Sequence, residues 1–263
     1  MRSEAAKEIA VRRVSGGEEF EDRDSLAAEV PLEIRVEGHS IAVVMRTPGD
    51  DRELAAGFLV TEGLIHAASE IVEISSPQCN VANVRLQNPE SVDFKKLTRH
   101  VFTSSSCGIC SKATIEAVRQ QFPAIDDRCT VQPQILLGLP TSLAAAQETF
   151  KRTGGLHACA LFDLAGRLLV AREDVGRHNA LDKVTGWALL GDRLPLRERI
   201  VLLSGRASFE MMQKALAAGI PIVAAISAPS SLAVEFAHTS GQTLVGFLRG
   251  ETMNIYAGAQ RIE

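Results

Sequence analysis

Between Arg199 and Phe247 the chain repeats one short pattern: an unbroken apolar run, a turn of small residues, then a helical segment. The runs are Arg199-Ile200-Val201-Leu202-Leu203, Ile220–Ile226 and Thr243-Leu244-Val245-Gly246-Phe247. Strand-length runs without polar alternation are buried on both faces, and a helix between successive strands is the crossover that parallel pairing requires. An α/β architecture follows, a parallel sheet covered by helices. The first strand stops at Ser204-Gly205-Arg206-Ala207-Ser208, before a helix from about Phe209 to Ala218. The second stops at Ser227-Ala228-Pro229-Ser230-Ser231, before a helix containing Leu232, Val234, Glu235 and Phe236. Thr243–Phe247 is expected to be the last full strand.

Upstream, Ala158–Phe162 and Leu168–Ala171 read as strands around an Asp163-Leu164-Ala165-Gly166 turn, followed by a helix from Asn179 to Leu190. Gln132 to Thr153 reads as a loop and a helix. Near the N-terminus, Leu32–Val36 and Ser40–Met45 alternate across Glu37-Gly38-His39, a β-hairpin pattern. A helix starting near Arg52 buries Leu54, Ala55, Phe58 and Leu59, with Gly63 suited to its C-terminal cap. Short strands around Ile71–Ile74 and Val81–Leu86 complete a small α+β unit. Residues 1–28 are polar and aperiodic, and a mobile tail is expected there. The expected organisation is a tail over 1–28, an α+β subdomain over 29–102 and an α/β domain over 103–263. No internal repeat of solenoid length is evident.

Composition narrows the function class. The 263 residues carry a net charge of −4, which argues against a nucleic-acid coat or a polybasic membrane binder. No apolar run is long enough to span a bilayer, and Met1 to Phe20 lacks the apolar core of a secretion signal. Five cysteines, an odd number with one close pair, do not form a disulfide framework. A cytoplasmic protein with reduced thiols is expected.

The close pair is Cys107-Gly108-Ile109-Cys110, at the start of a helical stretch. Exposed N–H groups and the helix dipole favour thiolate there, and the Ser104–Ser106 hydroxyls upstream can donate to an anionic sulfur. A thiolate can be a nucleophile, a metal ligand or a redox partner. Zinc is the weakest of these, since no second such pair exists and His157 or His178 would have to converge from afar. No metal site is expected. Cys159 lies in an apolar strand and reads as a small hydrophobe, while Cys79 and Cys129 lie in polar loops.

The two serine-rich turns share one geometry, each ending a buried strand and opening a helix. Ligands of open α/β sheets bind beyond the carboxyl ends of the strands, where free N–H groups, hydroxyls and arginines can hold an anion. Ser204, Gly205, Arg206, Ser227 and Ser230, with Arg249-Gly250 after the next strand, are therefore candidates for an anionic ligand. The competing reading is plain helix capping by serine. His178, in the polar run Arg172–Asn179, is a candidate acid, base or donor, or a capping residue.

Six segments together are similar to the formate dehydrogenase accessory sulfurtransferases. They are TSSSCGICSKATIEAV from Thr103, TGGLHACAL from Thr153, AREDVGRHNALDKV from Ala171, LLSGRASFEMMQKA from Leu202, AGIPIVAAISAPSSLAVE from Ala218 and LVGFLRGETMNIY from Leu244. The similarity runs from about residue 30 to the C-terminus. It implies a cytidine deaminase-like mixed sheet with helices on both faces, a small N-terminal α+β subdomain and a homodimer. It implies a sulfur carrier: a cysteine desulfurase loads sulfane sulfur onto Cys107, with Cys110 beside it. That sulfur is delivered to a molybdenum (or tungsten) bis-guanine-dinucleotide cofactor destined for formate dehydrogenase. The family's cofactor-binding stretch maps onto Phe247, Leu248, Arg249, Gly250, Glu251 and Thr252. Ser111 stands where the family pattern leads us to expect glycine.

The residues do not permit deamination. Zinc deaminases need His-x-Glu and a later Pro-Cys-x-x-Cys. Cys159 stands two residues after His157, the Cys pair precedes that histidine, and Ser106 replaces the proline. Two rival classes remain open from sequence: a chaperone that only holds the cofactor, and a dithiol redox protein.

Overall fold

The computed structural model describes residues 4–91 and 122–263. The chain begins with β1 (Ala6–Ser15) and β2 (Glu18–Ala27), which pair antiparallel as a separate two-stranded sheet. This corrects the expectation of an aperiodic tail. Gly16 and Gly17 both have positive φ, the geometry of a two-residue hairpin turn. Opposite charges then face each other across the strands, as in Arg13–Asp22 at 3.1 Å and Arg23–Glu8 at 3.2 Å. These pairs are exposed and contribute little.

The α+β unit follows: β3 (Val30–Val36), β4 (His39–Arg46), α1 (Asp51–Thr61), β5 (Ile71–Ser75) and β6 (Val81–Leu86). Its sheet has the order β4-β3-β6-β5, with β3 and β6 parallel and the other pairs antiparallel. Leu32, Ile34 and Val36 alternate inward from β3 and meet Leu54, Leu59 and Val60 of α1.

The remaining elements are α2 (Pro133–Ala146), α3 (Glu148–Thr153), β7 (His157–Asp163), β8 (Leu168–Asp174), α4 (Arg177–Leu190), β9 (Arg199–Leu203), α5 (Phe209–Ala217), β10 (Ile222–Ala225), α6 (Ser231–Ser240), β11 (Thr243–Arg249) and β12 (Thr252–Ala257). The six strands form one sheet in the order β12-β11-β10-β9-β7-β8. β9, β10 and β11 are parallel, as their run pattern requires. β7, β8 and β12 join antiparallel, so the sheet is mixed. The strand β12 was absent from the expected element list, because its residues alternate at a half-exposed edge rather than forming an apolar run.

Each central strand is apolar throughout because both of its faces are covered. Val201, Leu203, Val223 and Ala225 pack with Leu181, Val184, Met211, Met212, Ala233 and Ala237 from α4, α5 and α6. Ile200, Leu202, Ile222 and Ala224 face the other way, onto Leu136, Leu139 and Leu143 of α2. Helices on both faces of a mixed sheet are what the resemblance implies.

α4 is buried along nearly its whole circumference and joins the two units. It crosses α1 where Gly57 and Gly186 face each other. A Cβ on Gly57 would overlap the Asp182 carbonyl, and one on Gly186 would overlap that of Glu53. Beside the crossing, Lys214 of α5 donates to both Asp182 carboxylate oxygens at 2.9 Å and to the Thr61 hydroxyl at 2.8 Å. Lys183, the residue after Asp182 on α4, is held at 2.8 Å by buried Asp174 at the end of β8, which also accepts from the Thr47 N–H at 3.1 Å. Buried charges survive only when paired in this way. Among the described residues, no helix is long and apolar enough to cross a membrane.

Candidate functional site

The carboxyl ends of β9, β10 and β11 lie side by side, and their turns are stitched into one rim. The Ser204 N–H donates to the Ala158 carbonyl at 3.0 Å, and its hydroxyl accepts from the Ala158 N–H at 2.8 Å. The serine thus extends the β7–β9 ladder with its side chain. The Ala207 N–H donates to the Ala228 carbonyl at 3.2 Å, and the Ser230 N–H returns a bond to the Ala207 carbonyl at 3.0 Å. The Phe247 N–H reaches the Ser227 carbonyl at 3.1 Å. Ser204, Gly205, Arg206, Ser227, Ser230 and Phe247 are therefore neighbours, although the sequence separates them by more than forty positions.

Their roles on this rim differ. Ser230 caps α6, its hydroxyl accepting from the Ala233 N–H at 3.2 Å, as the capping reading has it. Arg206 is exposed on the rim. Phe247 has a positive φ of 50°, so the chain bends sharply as it leaves the sheet. Gly246 is needed there, because a Cβ would crowd the Pro229 ring and Tyr256. Arg249, Gly250, Glu251 and Thr252 form the tip of the β11–β12 hairpin. All four are exposed; the Thr252 hydroxyl donates to the Arg249 carbonyl, and the Arg249 guanidinium sits 5.5 Å from the Phe247 ring centre. Leu248 is fully buried in the core under α2, so its side chain packs inward rather than onto the rim. Cys107 and Cys110 lie outside the described residues.

His178 is placed differently from the strand-end serines. It is the second residue of α4, buried, with Nε2 2.9 Å from a carboxylate oxygen of Glu210, itself the second residue of α5. This pair sets the N-termini of the two helices beside each other. Asp174 fixes the start of α4 further, accepting from the Gly176 N–H and the Asn179 amide, each at 2.9 Å.

The structure adds two residues not chosen from sequence, His157 and Arg177. The His157 ring lies against Gly205, with Nδ1 3.2 Å from the position a Cβ would occupy, and the Arg177 side chain approaches the same position at 4.0 Å. Gly205 is thus the residue that admits both. The signal for them was their place at a strand start and a helix start, which by itself does not distinguish a site residue from a loop residue.

Burial, and then the neighbouring Arg177 and His178, hold the His157 imidazole below its ordinary pKa. It is neutral at pH 7. The unfolded chain takes up this proton at a higher pH than the folded one. Stability from this group is therefore full above the ordinary imidazole value and declines as the pH falls through it. In Arg177→Gln the His157 ring protons, followed by NMR, are expected to titrate at a higher pH than in the wild type. An unchanged midpoint would show that the Arg177 charge has no part in setting it.

Of the described cysteines, burial pushes Cys159 strongly up, and burial with Asp127 raises Cys129 to about 11. Both remain thiols at neutral pH and are poor nucleophiles. Cys159 is the core residue it was read to be. Cys129, expected in a polar loop, is buried instead, while Cys79 is exposed. Among the described residues no three His, Cys, Asp or Glu side chains gather as a metal site.

The model of the FdhD/NarQ family matches residues 27–263. The chain belongs to the FdhD/NarQ family. Relatives named sulfur carrier protein FdhD include one from Streptomyces avermitilis, 52% identical over 96% of this chain and 94% of that protein. One from Nocardia farcinica is 49% identical over 98% and 94%, respectively. An archaeal one, from Saccharolobus solfataricus, is 41% identical over 97% and 98%. The fold is also similar to the crystal structure of a protein assigned as a formate dehydrogenase accessory protein from Desulfotalea psychrophila. The TM-score is 0.79 and the identity 28%, covering 98% of this chain and 100% of that one. Membership of the FdhD/NarQ family accords with the six segments that carried the resemblance, five of which lie wholly within the described residues.

Proposed function

We propose that this protein is a sulfur carrier that takes sulfane sulfur from a cysteine desulfurase on Cys107 and delivers it to a molybdenum (or tungsten) bis-guanine-dinucleotide cargo for formate dehydrogenase. The observation that carries the reading is near-full-length identity of about half with proteins named sulfur carriers, in a chain with a single Cys-x-x-Cys pair. The resemblance adds a cytoplasmic homodimer as the acting form.

In the loading step the Cys107 thiolate attacks the terminal sulfur of the desulfurase persulfide. One S–S bond forms, the donor's S–S bond breaks, and the donor cysteine leaves as thiolate. Attack of the Cys110 thiolate on Cys107 Sγ would break the bond to the loaded sulfur, form a Cys107–Cys110 disulfide and release that sulfur as hydrosulfide. The chain either prevents this step or uses it for delivery. The rim supports the cargo end of the reading. It brings serine hydroxyls, Arg206 and the N-terminus of α5, which has no side-chain cap, to the carboxyl ends of three parallel strands, where a nucleotide with two pyrophosphates would find donors. Phe247 and Arg249, from the family's cofactor stretch, join it at one edge.

The test is mass spectrometry after incubation with a cysteine desulfurase and cysteine. The wild type is expected to gain the mass of one sulfur atom, the label mapping to Cys107 and disappearing in Cys107→Ala. Buried Cys129 and Cys159 are expected to stay unlabelled. A wild type without added sulfur, or a label confined to exposed Cys79, overturns the reading.

A further inference from the structure

The hairpin β1–β2 has no third strand on either long edge among the described residues. A two-stranded ribbon is marginal in water, and a free edge is a ready template for another strand. The helix that meets the hairpin, α3, touches β2. From Lys7 to Ser15, every residue of β1 except Val11 is exposed. The register with β2 shows which of these residues offer backbone groups. The Ala28 N–H donates to the Ala5 carbonyl at 2.9 Å, one step before the Ala6–Ala27 pair. Bonded and non-bonded pairs alternate along an antiparallel ladder. The odd-numbered residues of β1 therefore bond to β2, and Glu8, Ala10, Arg12 and Val14 turn their N–H and C=O groups outward.

The side chains of that edge complement themselves. Turning Glu8-Ile9-Ala10-Val11-Arg12 about a two-fold axis at Ala10 sets Glu8 against Arg12, Ile9 against Val11 and Ala10 against itself. The outward backbone groups of Glu8, Ala10 and Arg12 then meet in register. Lys7 against Arg13 is the one like-charged match in this stretch, and Arg13 already has Asp22 at 3.1 Å. The edge of β2 has no such centre. Glu18, Glu19, Glu21, Asp22 and Asp24 crowd it with a single arginine, Arg23. Any two-fold axis centred from Phe20 to Arg23 therefore sets acid opposite acid, which disfavours pairing through β2.

We propose that two copies of this chain join through their β1 edges, antiparallel about Ala10, so that two hairpins become one four-stranded sheet. Two Glu8–Arg12 pairs cross the axis on one face of that sheet and two Ile9–Val11 contacts on the other. The contact goes beyond the sulfur-carrier reading and does not rest on it. Its residues precede residue 27, where the family's model begins, so it does not follow from the homodimer that the resemblance implies.

Cysteine cross-linking of the full chain tests the register. Opposed residues of a bonded antiparallel pair have Cα atoms about 5.5 Å apart, within disulfide reach. Under mild oxidation Ala10→Cys is expected to give a covalent dimer, with two copies of the substituted peptide joined by a disulfide in its digest. Val14→Cys, which the register sets opposite Ala6, should give about 10-fold less of its own linked peptide. Sedimentation velocity tests the charges. Glu8→Arg and Arg12→Glu each set like charges opposite across the axis, and each is expected to weaken the association by about 10-fold. The double variant Glu8→Arg/Arg12→Glu restores opposite charges and should recover it. The cysteine variants keep every charge of the hairpin and decide the matter if the charge variants lose their fold. A wild type that stays monomeric overturns the proposal, as does linkage at position 14 as fast as at position 10. A dimer that persists in every variant without a linked peptide at position 10 also overturns it, and leaves a homodimer through another face.

Discussion

Gly186→Ala is expected to destabilise the protein by about 3 kcal/mol or more, at the upper end of what overpacking costs. The methyl group would occupy the space of the Glu53 carbonyl on α1, and backbone cannot step aside as a flexible side chain can. Relief requires α1 and α4 to separate, which would open the core that joins the α+β unit to the large sheet. Gly57→Ala should behave alike, since its Cβ meets the Asp182 carbonyl from the opposite side. Gly138 is the internal contrast. It lies inside α2 with nothing within 4 Å of its added Cβ, so Gly138→Ala should stabilise by up to about 1 kcal/mol through helix propensity. Urea unfolding of the three variants measures this directly. A mild effect at both Gly57 and Gly186 would show that the helices do not cross as closely as described.

The second large effect is expected at the buried ion pair. Desolvation pushes the Asp182 carboxyl up, while the Lys214 charge and the Thr61 hydroxyl pull it back. Desolvation draws the Lys214 ammonium down, but Asp182 and Glu62 outweigh it and the net shift is upward. Asp182→Asn leaves that ammonium buried without its main counter-charge, Glu62 at 3.7 Å being a weak substitute. Removing one member of such a pair costs about 3–5 kcal/mol. Lys214→Met strands the carboxylate in turn, though Asp182 can partly recover by taking up a proton. In the double variant Asp182→Asn/Lys214→Met both members of the buried pair lose their charge together, and part-exposed Glu62 loses only a long contact. The loss in the double variant should be well below the sum of the two singles. Denaturant melts of the four proteins give the coupling directly, and additive losses would mean that the pair contributes nothing as a pair.

Local signals carried much of the fold. The strands β9, β10 and β11 announce themselves because a strand covered on both faces must be apolar at every position. Their helices follow because parallel strands need crossovers. The hairpin β3–β4 and the helix α1 were legible from alternation and from one apolar face. The β1–β2 hairpin escaped because its strands are charged on both faces and pack little of the core; its one plain cue was Gly16-Gly17. β12 escaped for a related reason, being a half-exposed edge strand.

The site was legible in part. Strand-end turns at Ser204–Ser208 and Ser227–Ser231 were recognised from position alone, and the structure joins them through backbone hydrogen bonds. Leu248 could not be separated from its neighbours Phe247 and Arg249, because a contiguous motif does not say which side chain turns inward. Ser230 looked like a ligand-binding hydroxyl and caps a helix; both uses demand the same residue at the same place. Arg177 was hidden in a run of polar residues, most of which find partners elsewhere in the fold: Arg172 with Glu53, Asp174 with Lys183 and His178 with Glu210.

The order of elements, the mixed apolar and helical rhythm and the single Cys-x-x-Cys pair belong to the sequence by itself, because hydrophobic period and residue spacing are local quantities. Which charges cancel is not local. Asp174 with Lys183 and Asp182 with Lys214 are paired only once β8, α4 and α5 have packed. Only that packing seals the Arg177 Nε and the Ser208 hydroxyl, neither of which has a hydrogen-bond partner among the described residues. Burial makes an unpaired charge costly, and burial exists only in the folded chain.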